Sequence, residues 1–260
     1  MTLSQIARRA VTKAGIDVLP RKYWSPIPYD VPEPVWTRRS SLTGIDFDVD
    51  SQVALFERIA PHTEGWTRPD PKRMYGGMDA VVLYGMLREL QPAQVIELGS
   101  GVSTDIIREA LGRPHRVFDP YANDRTDLAV EPTSAVDVPL PVFQELAAGD
   151  VLFVDTSHTV KTGGDVTRIV LDVLPVLAPG VIVHVHDIFL PFEYPREWVE
   201  QLQLYWAEQY LLQAFLIGNP DWEILLGCAA VQDAAPELVE RYAPGHGPHS
   251  RPGAFWMRRR

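Results

Sequence analysis

Along the middle of the chain, short apolar runs alternate with stretches of helical period. Val95, Ile96 and Leu98 form the first run, the pattern of a strand buried on both faces. The run breaks at Gly99-Ser100-Gly101 and resumes with helical spacing over Ser103–Leu111 through Ile106, Ile107 and Leu111. His115–Asp119 reads as a second strand, Ala135–Val138 as a short third one, and Phe143–Ala147 as a helical turn ending at Gly149. Val151–Val154 is another buried strand. Gly163–Leu177 is a helix stopped by Ala178-Pro179-Gly180, and Val181–Val185 is a fifth strand. Upstream, Asp50–Ile59 is helical, with Asp50 and Ser51 as N-cap candidates, and the amphipathic helix Met78–Leu90 leads into the first strand. Downstream, Trp198–Ile217 reads as one long hydrophobic helix, Trp222–Val231 as a sixth strand and Ala254–Met257 as a last one, with the Ala243–Gly253 loop between. Strand and helix in regular alternation predict an α/β, doubly wound, Rossmann-like parallel sheet, and the last two strands suit an antiparallel edge hairpin.

The N-terminal stretch departs from this pattern. Residues 1–19 carry Leu3, Ile6, Ala10 and Val11 at helical spacing, and Pro20, Pro26, Pro28, Pro32 and Pro34 then favour an extended arm that Trp24, Tyr29 and Trp36 anchor to the body. The division is therefore 1–45, a helical and Pro-rich arm, and 46–260, the sheet domain. Arg8, Arg9, Lys13, Arg21 and Lys22 make the first 22 residues basic; the expectation is a solvated or packed arm, with a helix resting on an anionic membrane as the alternative. The net charge of −10 argues against a nucleic-acid partner, although Arg258-Arg259-Arg260 leaves a local basic patch open. Cys228 is the single cysteine, so there is no intrachain disulfide and a cytoplasmic location is expected. It lies in an apolar run and reads as core. An oligomer of identical chains stays open.

The candidate chemistry sits where the apolar runs end. A strand that turns through two glycines into a helix N-terminus offers backbone N–H groups, a positive dipole end and close approach for a ligand. Glu97 is placed to meet a ligand ammonium or hydroxyl, and Asp119, 22 residues on, ends the next strand where a ribose diol is held. A dinucleotide fingerprint would carry a third glycine where this chain has Thr104.

Four separated segments in order, V-I-E-L-G-S-G-V-S-T, D-V-L-F-V-D-T-S-H, L-A-P-G-V-I-V-H-V-H-D-I-F-L-P-F-E-Y-P and Y-W-A-E-Q-Y-L-L, resemble a bacterial subfamily of class I S-adenosylmethionine-dependent methyltransferases. The resemblance spans roughly residues 74–258. It implies a seven-stranded methyltransferase sheet with an antiparallel last strand, S-adenosylmethionine as cofactor, and a small hydroxylated acceptor such as a sugar or secondary metabolite. By the same resemblance Glu97, Gly99, Ser100 and Gly101 line the methionine end, Ser103 and Thr104 help hold its carboxylate, and Asp119 takes the ribose, with Asp155 beside them.

Asp155, His158, His186 and Asp187 end two neighbouring strands and form the predicted catalytic cluster. A hydroxyl needs a base or a metal to become nucleophilic at neutral pH. Relatives that use a metal imply Asp155, His186 and Asp187 as ligands, for manganese or magnesium; His186 stands where some of them carry an acid, which moves the preference away from magnesium. Without a metal, a histidine among His158 and His186 is the base and Asp187 its orienter. His184 reads as structural and His246 and His249 as solvated. Glu208, an acid in an apolar helix, reads as a buried anchor rather than a substrate contact. The rivals are a nicotinamide-dependent oxidoreductase and a catalytically decayed cofactor-binding protein.

Overall fold

A computed structural model of the chain describes residues 25–28, 30–69, 75–121, 129–244 and 251–260. The expected N-terminal helix, Trp24, Tyr29, His246 and His249 lie outside the described residues. The described elements are α1 (Glu33–Thr37), α2 (Val49–Ile59), α3 (Gly77–Leu90), β1 (Val95–Leu98), α4 (Val102–Leu111), β2 (Arg116–Phe118), β3 (Val130–Glu131), α5 (Leu140–Gln144), β4 (Val151–Val154), α6 (Asp165–Arg168), β5 (Ile182–Val185), α7 (Arg196–Glu200), α8 (Glu208–Leu216), β6 (Trp222–Gly227), α9 (Cys228–Ala234), α10 (Pro236–Tyr242) and β7 (Phe255–Arg259).

The strands form one seven-stranded sheet in the order β3-β2-β1-β4-β5-β7-β6. All run parallel except β7, which is antiparallel to both β5 and β6. Because strand side chains alternate in direction, each strand feeds two cores. Val95, Val151, Phe153 and Ile182 join α2, α3, α4, α9 and α10 on one face. Ile96, Leu98, Leu152, Val154, Val183 and Val185 join α5, the Ile169–Leu174 stretch and α8 on the other. Glu97 and His184 share the parity of the first face, which puts two polar groups under α3 and α4.

Several boundaries differ from the sequence expectation. Asp48, not Asp50 or Ser51, caps α2, accepting from both of their amides. The third strand is Val130–Glu131, and Ala135–Val138 is turn. The expected helix over Gly163–Leu177 starts as α6 and continues as a wider π turn (Ile169–Val173) and a tight 3-10 turn (Leu174–Val176). The expected single helix over Trp198–Ile217 is broken between α7 and α8, and the expected strand Trp222–Val231 bends into α9 after Gly227. In the arm, Pro34 falls in the first turn of α1, where its missing N–H costs nothing, so a short helix forms despite the prolines. Of the last three arginines, Arg258 pairs with Glu223, Arg259 donates to the Leu174 and Pro175 carbonyls, and Arg260 reaches Asp46.

Gly85 lets α3 press on the end of α2. A Cβ there would lie 2.6 Å from the Ile59 carbonyl oxygen. Alanine is the better helix former by about 1 kcal/mol, but overpacking costs about 1–3 kcal/mol, and here the obstacle is backbone. Gly85→Ala should therefore lower the stability measured by urea unfolding rather than raise it.

Candidate active site

The carboxyl ends of the central strands stop level. Leu98, Val154 and Val185 are paired across β1, β4 and β5, so the next residues, Gly99, Asp155 and His186, emerge side by side. Gly99 has φ +91°, and a Cβ on it would stand 1.9 Å from the Asp155 carbonyl oxygen; only glycine admits that approach. Above these ends opens a cleft of about 780 Å³. The Gly99–Ser103 turn and Phe118–Tyr121 form one end and Asp155–His158 with His186 and Asp187 the other, with Tyr75 and Trp206 also on its wall.

At the first end, the loop between β1 and α4 is held in shape by its own neighbours. Gly99 N donates to the Phe118 carbonyl, Ser100 N and Oγ donate to Asp119 Oδ2 at 2.9 Å and 2.5 Å, and Gly101 N donates to Thr104 Oγ1. Asp119 Oδ1 accepts from Tyr121 N. The turn was expected to present free N–H groups; these three are engaged. Gly99, Ser100, Gly101, Ser103, Asp119 and Asp155 line the cleft. Glu97 and Thr104, expected beside the ligand, do not. Glu97 is fully buried and takes hydrogen bonds from Ser103, Thr104 and His115.

At the second end His158 is gripped on both sides. Its Nδ1–H donates to Glu208 Oε2 at 2.8 Å, and its Nε2 lies 3.2 Å from Asp155 Oδ1 and 3.4 Å from Asp187 Oδ2. Burial opposes the charged form of His158, but Asp155, Glu208 and Asp187 outweigh it and push its pKa up to about 10. Burial pushes Glu208 up, with His158 partly offsetting it. The His158 carbonyl accepts from Ala207 N and Glu208 N, so the residue that Glu208 orients also caps the start of α8. Trp206 lies against the imidazole with ring centroids 4.4 Å apart. Asp165 fixes the intervening turn, accepting from Ser157 N and Oγ. His158 and Asp187 both adopt positive φ, 53° and 57°, a region sparsely used by residues other than glycine and concentrated at functional sites.

His186 sits beside the same carboxylates, with Nδ1 3.6 Å from Asp155 Oδ1 and 3.5 Å from Asp187 Oδ2. Its Nε2 lies 3.6 Å from Asp79, which in turn accepts from Gly253 N and Ala254 N. Burial works against its charge, yet Asp187 and Asp155 hold its pKa well above the ordinary range. His184 is different: buried between Phe153 and Trp256, it is driven well below the ordinary value by burial and by His186, and is neutral. Asp155, His158 and Asp187 offer ligand atoms within 4.8 Å of one another, a set of two carboxylates and one imidazole that fits a divalent cation. The expected set had His186 in the place of His158. The sequence does not point to Asp79 or Asp165 as site residues; Tyr75 falls in a flexible Tyr75-Gly76-Gly77 stretch expected to fold over the cofactor, and Trp206 in the long segment expected to carry acceptor specificity. Glu208 carried one signal, an acid in an apolar helix, and its partner lies 50 residues away.

The family described as "Methyltransferase domain" matches residues 96–188, the span that holds the glycine turn, Asp119, Asp155, His158 and Asp187. No curated protein matches the chain. Among solved structures, a protein of Thermobifida fusca YX, provisionally assigned as a methyltransferase, is 14% identical over 92% of this chain and 99% of its own, with a TM-score of 0.34; a likeness that low carries no weight for fold or activity. Among the described residues no helix is long and apolar enough to cross a membrane. Residues 96–188 are thus similar to a methyltransferase domain, and the match takes in the strand-end residues that line the cleft.

Proposed function

We propose that the protein methylates a hydroxyl group of a small molecule such as a sugar or secondary metabolite, with His158 as the base. The observation that carries this reading is the grip on His158: Glu208 fixes its Nδ1–H, which leaves Nε2 as the proton acceptor on the side of Asp155 and Asp187. S-adenosylmethionine, when bound, supplies an activated methyl carbon. The glycine turn and Asp119 suit its amino-acid and ribose ends. In the transfer the acceptor oxygen gains the carbon as the carbon–sulfur bond breaks, and the hydroxyl proton passes to His158 Nε2. Glu208 stabilises the imidazolium that results.

The base must start neutral, and the surrounding carboxylates oppose that. Turnover should therefore rise with pH as His158 loses its proton. Glu208→Gln should move that rising limb to lower pH, because it removes a carboxylate that stabilises the imidazolium. His158→Ala should cut kcat by about 10²–10⁴-fold and remove the limb, with S-adenosylhomocysteine binding retained. The checks are pH–rate profiles with an acceptor found by radiolabelled methyl transfer to a panel of hydroxylated compounds. A flat profile in the unaltered enzyme would count against His158.

A second reading rests on the compact Asp155–His158–Asp187 set. A divalent cation held there supplies Lewis acidity that lowers the acceptor hydroxyl's pKa, and His158, once a ligand through Nε2, could not also be the base. Treatment with a chelator followed by Mn²⁺ or Mg²⁺ separates the two: loss and recovery of turnover supports the cation, and indifference supports His158 as base.

At the other end of the cleft, Asp119→Ala should weaken S-adenosylhomocysteine binding by about 1–3 kcal/mol through lost charged hydrogen bonds. Calorimetric titration reads this directly, and unchanged affinity would move the ribose away from Asp119.

A further inference from the structure

Beneath the glycine turn lies a buried polar chain that the proposed chemistry does not use. His115, just before β2, donates through Nε2 to Glu97 Oε2 at 2.6 Å. Glu97 Oε1 accepts from Ser103 Oγ at 2.8 Å and Thr104 Oγ1 at 3.1 Å, both in the first turn of α4. Thr104 Oγ1 in turn accepts from Gly101 N at 2.9 Å. The Glu97 and His115 side chains are 0% and 2% exposed, so neither can touch a ligand in the cleft. Burial pushes the Glu97 carboxyl up, opposed by His115, Ser103 and Thr104. A buried carboxylate is costly unless it is fully paired, and the residues that pair this one come from the entry to β2 and the first turn of α4.

We propose that the His115–Glu97–Thr104 chain presets the glycine turn for the cofactor, which makes Thr104 and His115 positioning residues for cofactor binding. This rests on the reading of the cleft as an S-adenosylmethionine site. The two sides of the turn then differ in kind. Ser100 is held by Asp119, which faces the cleft and can exchange its partners for a ligand's hydroxyls. Gly101 is held from inside, by an oxygen that no ligand displaces. Preset geometry removes an ordering cost from binding, so the chain acts on affinity without contact.

The test is calorimetric titration of S-adenosylhomocysteine into the full-length protein and three variants. Thr104→Val keeps the shape and deletes the hydroxyl, Thr104→Ser restores it, and His115→Gln retains a donor toward Glu97. Thermal unfolding and the Gly101 amide proton resonance are followed in parallel. The expected result is binding about tenfold weaker for Thr104→Val, the equivalent of one lost hydrogen bond, with an upfield Gly101 amide and a cooperative unfolding transition. Thr104→Ser and His115→Gln should bind within about twofold of the unaltered protein, since each keeps its hydrogen bond. Unaltered affinity in Thr104→Val would overturn the proposal, as would a Thr104→Ser variant as weak as Thr104→Val. Failure of the unaltered protein to bind S-adenosylhomocysteine would instead overturn the cofactor reading and the proposal with it.

Discussion

The site depends on a backbone approach with no room in it. β1 and β4 end so close together that the missing side chain of Gly99 is what lets the Asp155 carbonyl pass. This places the glycine turn and the Asp155 carboxylate in one junction, because both grow from the same parallel ladder. A second contact of the same kind closes the far side. A Cβ on Gly253 would lie 2.8 Å from Asp187 Cα, so the entry to β7 packs against the loop after β5. Loops carry function best when the scaffold beneath them is fixed, and two glycines do that here by letting backbone meet backbone.

The electrostatics follow from this convergence. Asp79, Asp155, Asp187 and Glu208 surround His158 and His186, and even with both imidazoles protonated the acids outnumber the cations by two. Desolvation alone would favour neutral histidines; the raised pKa of both shows that the carboxylates win. Such a cluster is complementary to positive charge, and both a sulfonium and a divalent cation meet that requirement. Either one, set beside Asp155 and Asp187, would also weaken their hold on the His158 proton. On the proposed function, cofactor binding and release of the His158 proton would be coupled through the same two carboxylates.

Much of this was legible in the sequence. The runs Val95–Leu98 and Val151–Val154 coincide with strands, because a strand buried on both faces must be apolar at nearly every position. The residues that end those runs are the ones lining the cleft. The misreadings have a common cause in apolar segments whose period does not decide between helix and strand. Trp222–Val231 satisfied a strand pattern throughout, yet Cys228 N donates to the Ala254 carbonyl and the chain turns into α9. Trp198–Ile217 satisfied a helix pattern, yet Trp206 and Trp198 meet edge to face across the break. Glu97 was legible as an acid near the end of a strand, but its burial was not, since that depends on His115 and Thr104 arriving from outside that strand.

The break between α7 and α8 shows how a departure from local pattern serves the site. An unbroken helix would satisfy the amides of Ala207 and Glu208 within itself; here both bond the His158 carbonyl instead. That exchange ties the start of α8 to the strand-end loop and delivers the Glu208 carboxylate to His158 Nδ1. It also sets the Trp206 ring against the imidazole. One short interruption thus supplies the orienting carboxylate, the aromatic wall and the anchor that holds His158 at its positive φ. The His158 end of the cleft is consequently walled by Trp206, from the segment between α7 and α8, while the glycine turn grows from the ladder of β1, β2 and β4; on the proposed function, acceptor preference would change through residues 201–207 without disturbing that turn.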